Sequence, residues 1–411
     1  MVTHNSSNEF KLSEHAYTSR GVSHTKADVH SAIANEDAGI SPGTFCKLVE
    51  DYAGDTQFCT ALHADGAGTK SSLAYLYFRE TGDISVFRGI AQDAVVMNLD
   101  DLICVGASNK FVLSNTIGRN AHRVGAQVIK EIIEGYRDFF EKMRPYGIEI
   151  SMCGGETADV GDLVSTLIVD STALARFSRR RIINCNNIKP GDVIVGLASF
   201  GKASYEDSFN SGIGSNGLTA ARHILLSRKY ALKYPETFSN TIPDDKVYCG
   251  PFSVEDALPG ASTGMGADGD ARISVGKALL SPTRTYLPVV KEILDEHFDC
   301  IHGIVHCTGG GQVKCKNFGI GLHYIKDNLF DVPPLFEAIK SAGAIPSSEM
   351  FQIFNMGCRM EIFTDPVNAQ TIIDIADKYC IDAKITGYVE KSATSPQNSV
   401  TIKHDNEVMK F

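Results

Sequence analysis

The stretch that most limits the fold is QVIKEIIEGYRDFFEKM, residues 127–143, followed closely by IEISMC, residues 148–153. In the first, Val128, Ile132, Ile133, Tyr136, Phe139, Phe140 and Met143 recur at helical spacing and make one broad apolar face. The second is short and apolar and reads as a strand, as does the longer run LVSTLIVDSTALARF after it. An amphipathic helix between strands needs a sheet or a second helix to cover its face, which predicts a layered α/β fold.

The same pattern recurs along the chain. QFCTALHA reads as a strand and SSLAYLYFRETGD as the helix after it. From Arg88 to Gly106 the period is helical, with Val95, Val96, Leu99, Leu102 and Ile103 on one stripe and Asp93, Asp100 and Asp101 opposite. CNNIKPGD closes the first half near residues 183–191, and VIVGLAS opens the second as a strand. IHGIVHC is a further strand signal, and AQTIIDIADKYC a further helix. Residues 228–272 lose periodicity and gather Pro, Gly, Asp and Ser, which predicts an insertion. The expected domains are a loose terminus at 1–14, an N-terminal domain at 15–185 and a C-terminal domain at 186–411.

With 411 residues, two domains are the default for burying a core. A net charge of −10 leaves no basic surplus for phosphate backbones or anionic membranes, so no nucleic-acid or membrane partner is expected. No leader-like start and no apolar run near 20 residues is present, so the expectation is a cytoplasmic protein. The eleven cysteines sit in apolar contexts and read as buried thiols. Cys300, His302, His306, Cys307 and Cys315 lack the spacing of a zinc site.

ALHADGAGTKSSLAYLYF, residues 61–78, looks at first like a phosphate-binding P-loop. Such a loop needs Lys and a hydroxyl directly after its last glycine, but here Thr69 separates Gly68 from Lys70. Asp65 inside the loop would repel an anion unless a metal ion intervened. Asp65, the Asp93/Asp101 helix face and Glu156 in the glycine turn GGETADVGD therefore form a candidate Mg²⁺ set beside glycines that let backbone approach a polyphosphate. A solvated helix face and a plain hairpin turn explain the same residues. GIGSNGLTAARHILL offers a helix start that suits either an anion or a simple cap, and VHCTGGGQVK a glycine run that either binds phosphate or turns. His306 is the candidate proton carrier, with a buried strand histidine as the alternative.

Taken in order, HADGAGTK, MNLDDLICVGA, GGETADVGD, GSNGLTAARHIL, LLSPTRTY, HCTGGG and FNMGCRMEI resemble the AIR synthetase family, the phosphoribosylformylglycinamidine cyclo-ligases. DAKITGYVE resembles that family's closing strand. The resemblance implies a two-domain α/β subunit whose N-terminal sheets pair into a barrel across a homodimer, with ATP and Mg²⁺ as cofactors. It also implies ATP-dependent ring closure of formylglycinamidine ribonucleotide through a phosphorylated amide.

Carried over by position, Asp65, Asp101 and Glu156, with Asp93 as a weaker match, correspond to the metal and nucleotide site. Asp65, Glu156 and His306 correspond to catalytic positions. Gly66, Gly68, Thr69, Lys70, Gly154, Gly155, Thr157, Ser215, Asn216, Gly217, Thr308, Gly309, Gly310 and Gly311 correspond to the nucleotide-holding loops. The family commonly has a histidine just before S-N-G, where this chain has Gly214, and Tyr205 or His223 are the candidate substitutes. Arg20 and Lys26 are candidates for reaching phosphate. The alternatives are a sibling such as selenophosphate synthetase or thiamine-monophosphate kinase, and a regulatory nucleotide-binding module without catalysis.

Overall fold

A computed structural model of the chain describes residues 16–22, 31–32, 36–262, 264–265, 271–393 and 396–411. The expected loose terminus at 1–14 and the candidate Lys26 lie outside the described residues.

The first half builds one five-stranded sheet. Its strands are β1 (Val49–Glu50), β2 (Phe58–Gly66), β3 (Lys110–Arg119), β4 (Glu149–Asp159) and β5 (Leu167–Ser178), in the order β1-β2-β5-β3-β4. β3 and β4 run parallel and the other neighbours antiparallel. Helices α1 (Lys70–Thr81), α2 (Val86–Ile103) and α3 (Ala126–Met143) connect these strands. α3 carries the expected apolar face, burying Val128, Ile132, Tyr136, Phe139, Phe140 and Met143, whereas Ile133, at the edge of that face, is exposed.

β5 ends at Ser178 in the first sheet, and β6 (Val193–Ala198) begins a seven-stranded second sheet. Its other members are β7 (Ile301–His306), β8 (Leu322–Lys326), β9 (Cys358–Thr364), β10 (Ala383–Lys391), β11 (Ser399–His404) and β12 (Glu407–Lys410), in the order β12-β11-β8-β10-β6-β9-β7. The segment DAKITGYVE forms the strand β10, but β11 and β12 follow it, so it is not the last strand. The long helices of this half are α4 (Leu218–Leu225), α5 (Leu287–His297), α6 (Pro334–Gly343) and α7 (Ala369–Lys378).

Two local readings need correction. Asp65 and Glu156 stand within strands β2 and β4, not in glycine turns, because the ladders of the first sheet continue through both motifs. The acids of α2 are not a solvated face: Asp93 and Asp100 are 0% exposed and Asp101 is 7% exposed. α2 has the first sheet on one side and the second half of the chain on the other, so both of its faces are covered.

Its acids are satisfied by bonds instead of water. Asp93 pairs with Lys70 at 2.9 Å and accepts from the Thr283 amide and hydroxyl at 2.7 and 2.6 Å. Asp100 accepts from Thr285 Oγ1 at 2.6 Å and from the Tyr286 amide at 3.0 Å, and burial pushes its carboxyl up to about 7. No helix among the described residues is long and apolar enough to cross a membrane.

The aperiodic excursion covers α4. Arg222 reaches the Thr237 carbonyl and the Tyr248 hydroxyl, each at 2.7 Å, and His223 is enclosed by Phe238 and Tyr248. His223 Nδ1 accepts from the Tyr248 amide at 3.2 Å, so the ring is neutral with its proton on Nε2. Burial, with help from Arg222 and Arg20, pushes this histidine down to about 2.

Two predictions follow from these contacts. Lys70→Met or Asp93→Asn breaks a fully buried pair and should cost about 3–5 kcal/mol in urea unfolding; an unchanged midpoint for both would refute the role of this pair. A neutral buried histidine takes up its proton only on unfolding, so its stabilisation is full above its unfolded pKa and is lost as pH falls below about 6.5. Between pH 6.5 and about 5 that loss is about 2 kcal/mol for His223, and His223→Gln should flatten the acid side of a stability–pH curve by that amount.

Candidate functional site

The C-terminal end of β7 delivers His306 against α2, and the two form a buried seam. His306 Nδ1 lies 2.6 Å from Asp101 Oδ1, and Arg359 Nε donates to His306 Nε2 at 2.8 Å. Because Arg359 can only donate, Nε2 is the acceptor and Nδ1 carries the proton. Burial and the Arg359 charge push His306 down to about 4. His306 is 0% exposed with both nitrogens engaged, so it is a neutral internal link.

Asp101 has a second histidine on its other oxygen. His63 Nε2 stands 3.3 Å from Asp101 Oδ2, and His63 Nδ1 stands 3.0 Å from Asn98 Oδ1. The Asn98 amide nitrogen donates to the carbonyls of Asp65, Ala94 and Ser171, which fixes its oxygen as the acceptor and puts a proton on His63 Nδ1. Burial works to raise Asp101, but the bonds from His306 and His63 hold it well below the usual carboxylate range. His63 moves the other way: burial opposes its charge, yet Asp101, Asn98 and Asp65 together raise it. The result is one chain of bonds, Arg359–His306–Asp101–His63–Asn98, that crosses from the second sheet to the first.

The predicted phosphate loops meet beside this chain. Thr69 and Thr219 share a hydroxyl hydrogen bond of 2.9 Å, and Ser215 and Thr283 share another of 2.9 Å. Lys70 is 0% exposed and is spent on Asp93 and on the carbonyls of Gly214 at 3.1 Å and Ser281 at 2.5 Å. Its ammonium therefore braces the Gly214 loop from behind and does not project from the turn at 65–70. Burial lowers its pKa despite Asp93. Gly217 needs its glycine: φ is +80°, and a Cβ would sit 2.3 Å from the Phe354 ring. Thr308 is bonded by Lys314, Gly309 is exposed, and Gly310 and Gly311 have positive φ. Asn216 Oδ1 is buried without a partner.

The four predicted metal ligands do not converge. Asp93 is committed to Lys70, and Asp101 to two histidines. Glu156 pairs with Thr116 in β3, which pairs with Asp170 in β5, which pairs with Gly66 beside Asp65. Three strand spacings separate β2 from β4, roughly 14 Å. Gly154, Gly155 and Thr157 share the exposed edge strand with Glu156. Among the described residues, the group close enough to share an ion is Asp192, His302 and Asp365, which contains none of the four.

Asp170 is the acid that stands near Asp65. A Cβ on Gly66 would lie 1.8 Å from Asp170 Oδ1, and burial together with the Asp65 charge raises the Asp170 pKa. A cleft of about 540 Å³ opens elsewhere, between α2, α3 and residues 271–282, and none of the predicted site residues lines it.

Residues 44–177 match the family described as AIR synthase related protein, N-terminal domain. That match covers the first sheet and the helices that connect its strands. The chain is 29% identical over 378 residues to a Methanocaldococcus jannaschii protein named phosphoribosylformylglycinamidine cyclo-ligase, covering 91% of this chain and 90% of that one. A protein of the same name from Methanothermobacter thermautotrophicus is 29% identical over 321 residues, covering 78% of this chain and 76% of its own length. Among solved structures, Thermotoga maritima PurL complexed with ADP superposes with a TM-score of 0.54 at 13% identity, covering 96% of this chain and 49% of PurL. The chain thus spans about half the length of that structure. The HypE–HypF complex gives a TM-score of 0.51 at 14% identity, covering 95% and 99%. These two likenesses establish the fold alone.

Within this fold, sequence reading missed His63, Asn98, Asp170 and Arg359. His63 had a usable signal, since it stands two residues before Asp65 on a strand and so shares its face. Asp170 and Arg359 had none, because each acquires its neighbours only through long-range pairing. If Asp101 is the hub of the chain of bonds, Asp101→Asn should release both histidines. NMR titration should then return His63 towards its ordinary pKa, whereas an unchanged His63 would place its stabilisation elsewhere.

Proposed function

We propose that this protein closes the imidazole ring of aminoimidazole ribonucleotide, using ATP and formylglycinamidine ribonucleotide in purine biosynthesis. The observation that carries the reading is the similarity to named cyclo-ligases along 91% of the chain and 90% of the relative. The site suits the chemistry. An amide oxygen leaves poorly, so ATP phosphorylates it first. The amidine nitrogen of the same molecule then attacks that carbon, the C–O bond to phosphate breaks, phosphate leaves, and the nitrogen gives up a proton.

Ring closure is intramolecular, so the protein gains chiefly by holding reacting groups together and needs no nucleophile of its own. The glycine turn at 66–68 and the loops 215–217 and 308–311 are the parts offered for nucleotide and substrate. Of the predicted acids Asp65 is left to hold Mg²⁺, which would neutralise phosphate charge there. Asp93 and Asp101 are excluded from that set by their committed partners, and Glu156 by its distance. His63 with Asp101 is the proton-handling pair, because His63 is part-exposed and its proton affinity is raised. His306 fixes Asp101 from behind.

A homodimer is part of the proposal. On the face of the first sheet away from α2, Leu62, Leu174 and Val112 are direct cross-strand neighbours, and Leu62 and Val112 are 63% and 40% exposed. Ile168 lies on the same face, beyond Thr172 and Asp170, at 38% exposure. Such a contiguous patch fits a second copy of the same sheet.

The test is incubation of purified protein with ATP, Mg²⁺ and formylglycinamidine ribonucleotide, following ADP and aminoimidazole formation. Turnover is expected, falling by about 100-fold or more in Asp65→Asn and in His63→Gln. Absence of product with the wild type would refute the assignment. Leu62→Glu should shift the protein to monomer in analytical ultracentrifugation, and an unchanged mass would remove the proposed pairing.

A further inference from the structure

Arg359, on β9, is a cation without a matching anion. It is 1% exposed, and its described hydrogen bonds go to uncharged partners, His306 Nε2 at 2.8 Å and Met97 Sδ at 3.0 Å. Asp100 feels its charge but is bonded by Thr285 and Tyr286. Buried charges are normally paired, and an unpaired one is costly. Lys70 lies close enough to feel the repulsion, and Asp93 balances Lys70 alone. The guanidinium thus touches no carboxylate directly, and Asp101 faces it only across the neutral His306 ring.

The guanidinium is aimed at a specific place. A Cβ built on Gly214 would lie 1.5 Å from Arg359 Nη1, so the side chain of Arg359 occupies the space that any side chain at position 214 would take. Among the described residues Nη1 makes no hydrogen bond. Gly214 has φ +67°, and its carbonyl is turned towards Lys70. Two residues on, Asn216 Oδ1 is also buried without a partner. A cationic donor thus underlies the loop Ser215-Asn216-Gly217, which leads into Thr219 and its hydrogen bond to Thr69.

We propose that Arg359 binds an anionic phosphoryl oxygen at the Ser215-Asn216-Gly217 loop through Nη1, and that Gly214 is a glycine so that the guanidinium can reach it. The inference rests on the proposed function only for the identity of the ligand. Two phosphoryl sources share this chemistry, the ATP polyphosphate and the 5′-phosphate of a ribonucleotide.

Isothermal titration of the full chain with ATP–Mg²⁺, and separately with ribose 5-phosphate, distinguishes them. Arg359→Met should weaken one of the two about tenfold or more, with Arg359→Lys recovering part of the loss. Loss confined to ATP assigns the nucleotide phosphate, and loss confined to ribose 5-phosphate assigns the substrate phosphate. Should Arg359→Met fail to fold, Gly214→Ala displaces the guanidinium without removing its charge and should show the same loss. Wild-type binding of neither probe, or equal binding of both by a folded variant, overturns the proposal. A protein that binds a probe through Arg359 but makes no aminoimidazole would sink the cyclo-ligase reading and leave this one standing.

Discussion

The structure turns on the burial of three carboxylates on one helix. α2 is covered on both faces, and Asp93, Asp100 and Asp101 are withdrawn from water along its length. Each must then be met by donors, and those donors come largely from the second half of the chain: Thr283, Thr285, Tyr286 and His306. Buried acids bonded one by one specify a register between the two halves that apolar contact alone would leave loose. The same requirement brings Lys70 inward, since Asp93 is fully buried and needs a cation.

The functional candidates are consequences of that seam. His306 is neutral because Arg359 points at one nitrogen and Asp101 accepts from the other. His63 gains proton affinity because the opposite oxygen of Asp101 faces it. The loop 214–219 is fixed by Lys70, Thr69 and Thr283, none of which belongs to the loop itself. A chemistry that depends on holding one flexible molecule in a reactive shape gains from loops braced in this way.

Much of the fold was legible in the residues. The helix 126–143 and strands β5, β6 and β7 follow from apolar period, because each has one face or a whole short segment to bury. The motif residues were legible too, as types: glycines where backbone must turn, acids and hydroxyls beside them. The readings of Asp65 and Glu156 as turn residues failed for one reason. Strand pairing can carry a ladder through Gly-rich sequence when the neighbouring strand supplies the partners, as β5 does for Gly66 and β3 for Gly155.

By itself the sequence determined the alternation of helices and strands, the lack of basic surplus and the ordered set of motifs that resembles one family, all of which depend on local pattern and composition. Only the tertiary structure decided which acids face water and which face lysine or histidine, because a helix pattern states which residues share a side and not what covers it. It likewise decided that Lys70 braces a loop, that Asp170 stands by Asp65 three strands from Glu156, and that Arg359 fills the space at Gly214. These last relations join residues from 91 to 145 positions apart, and no local signal encodes them.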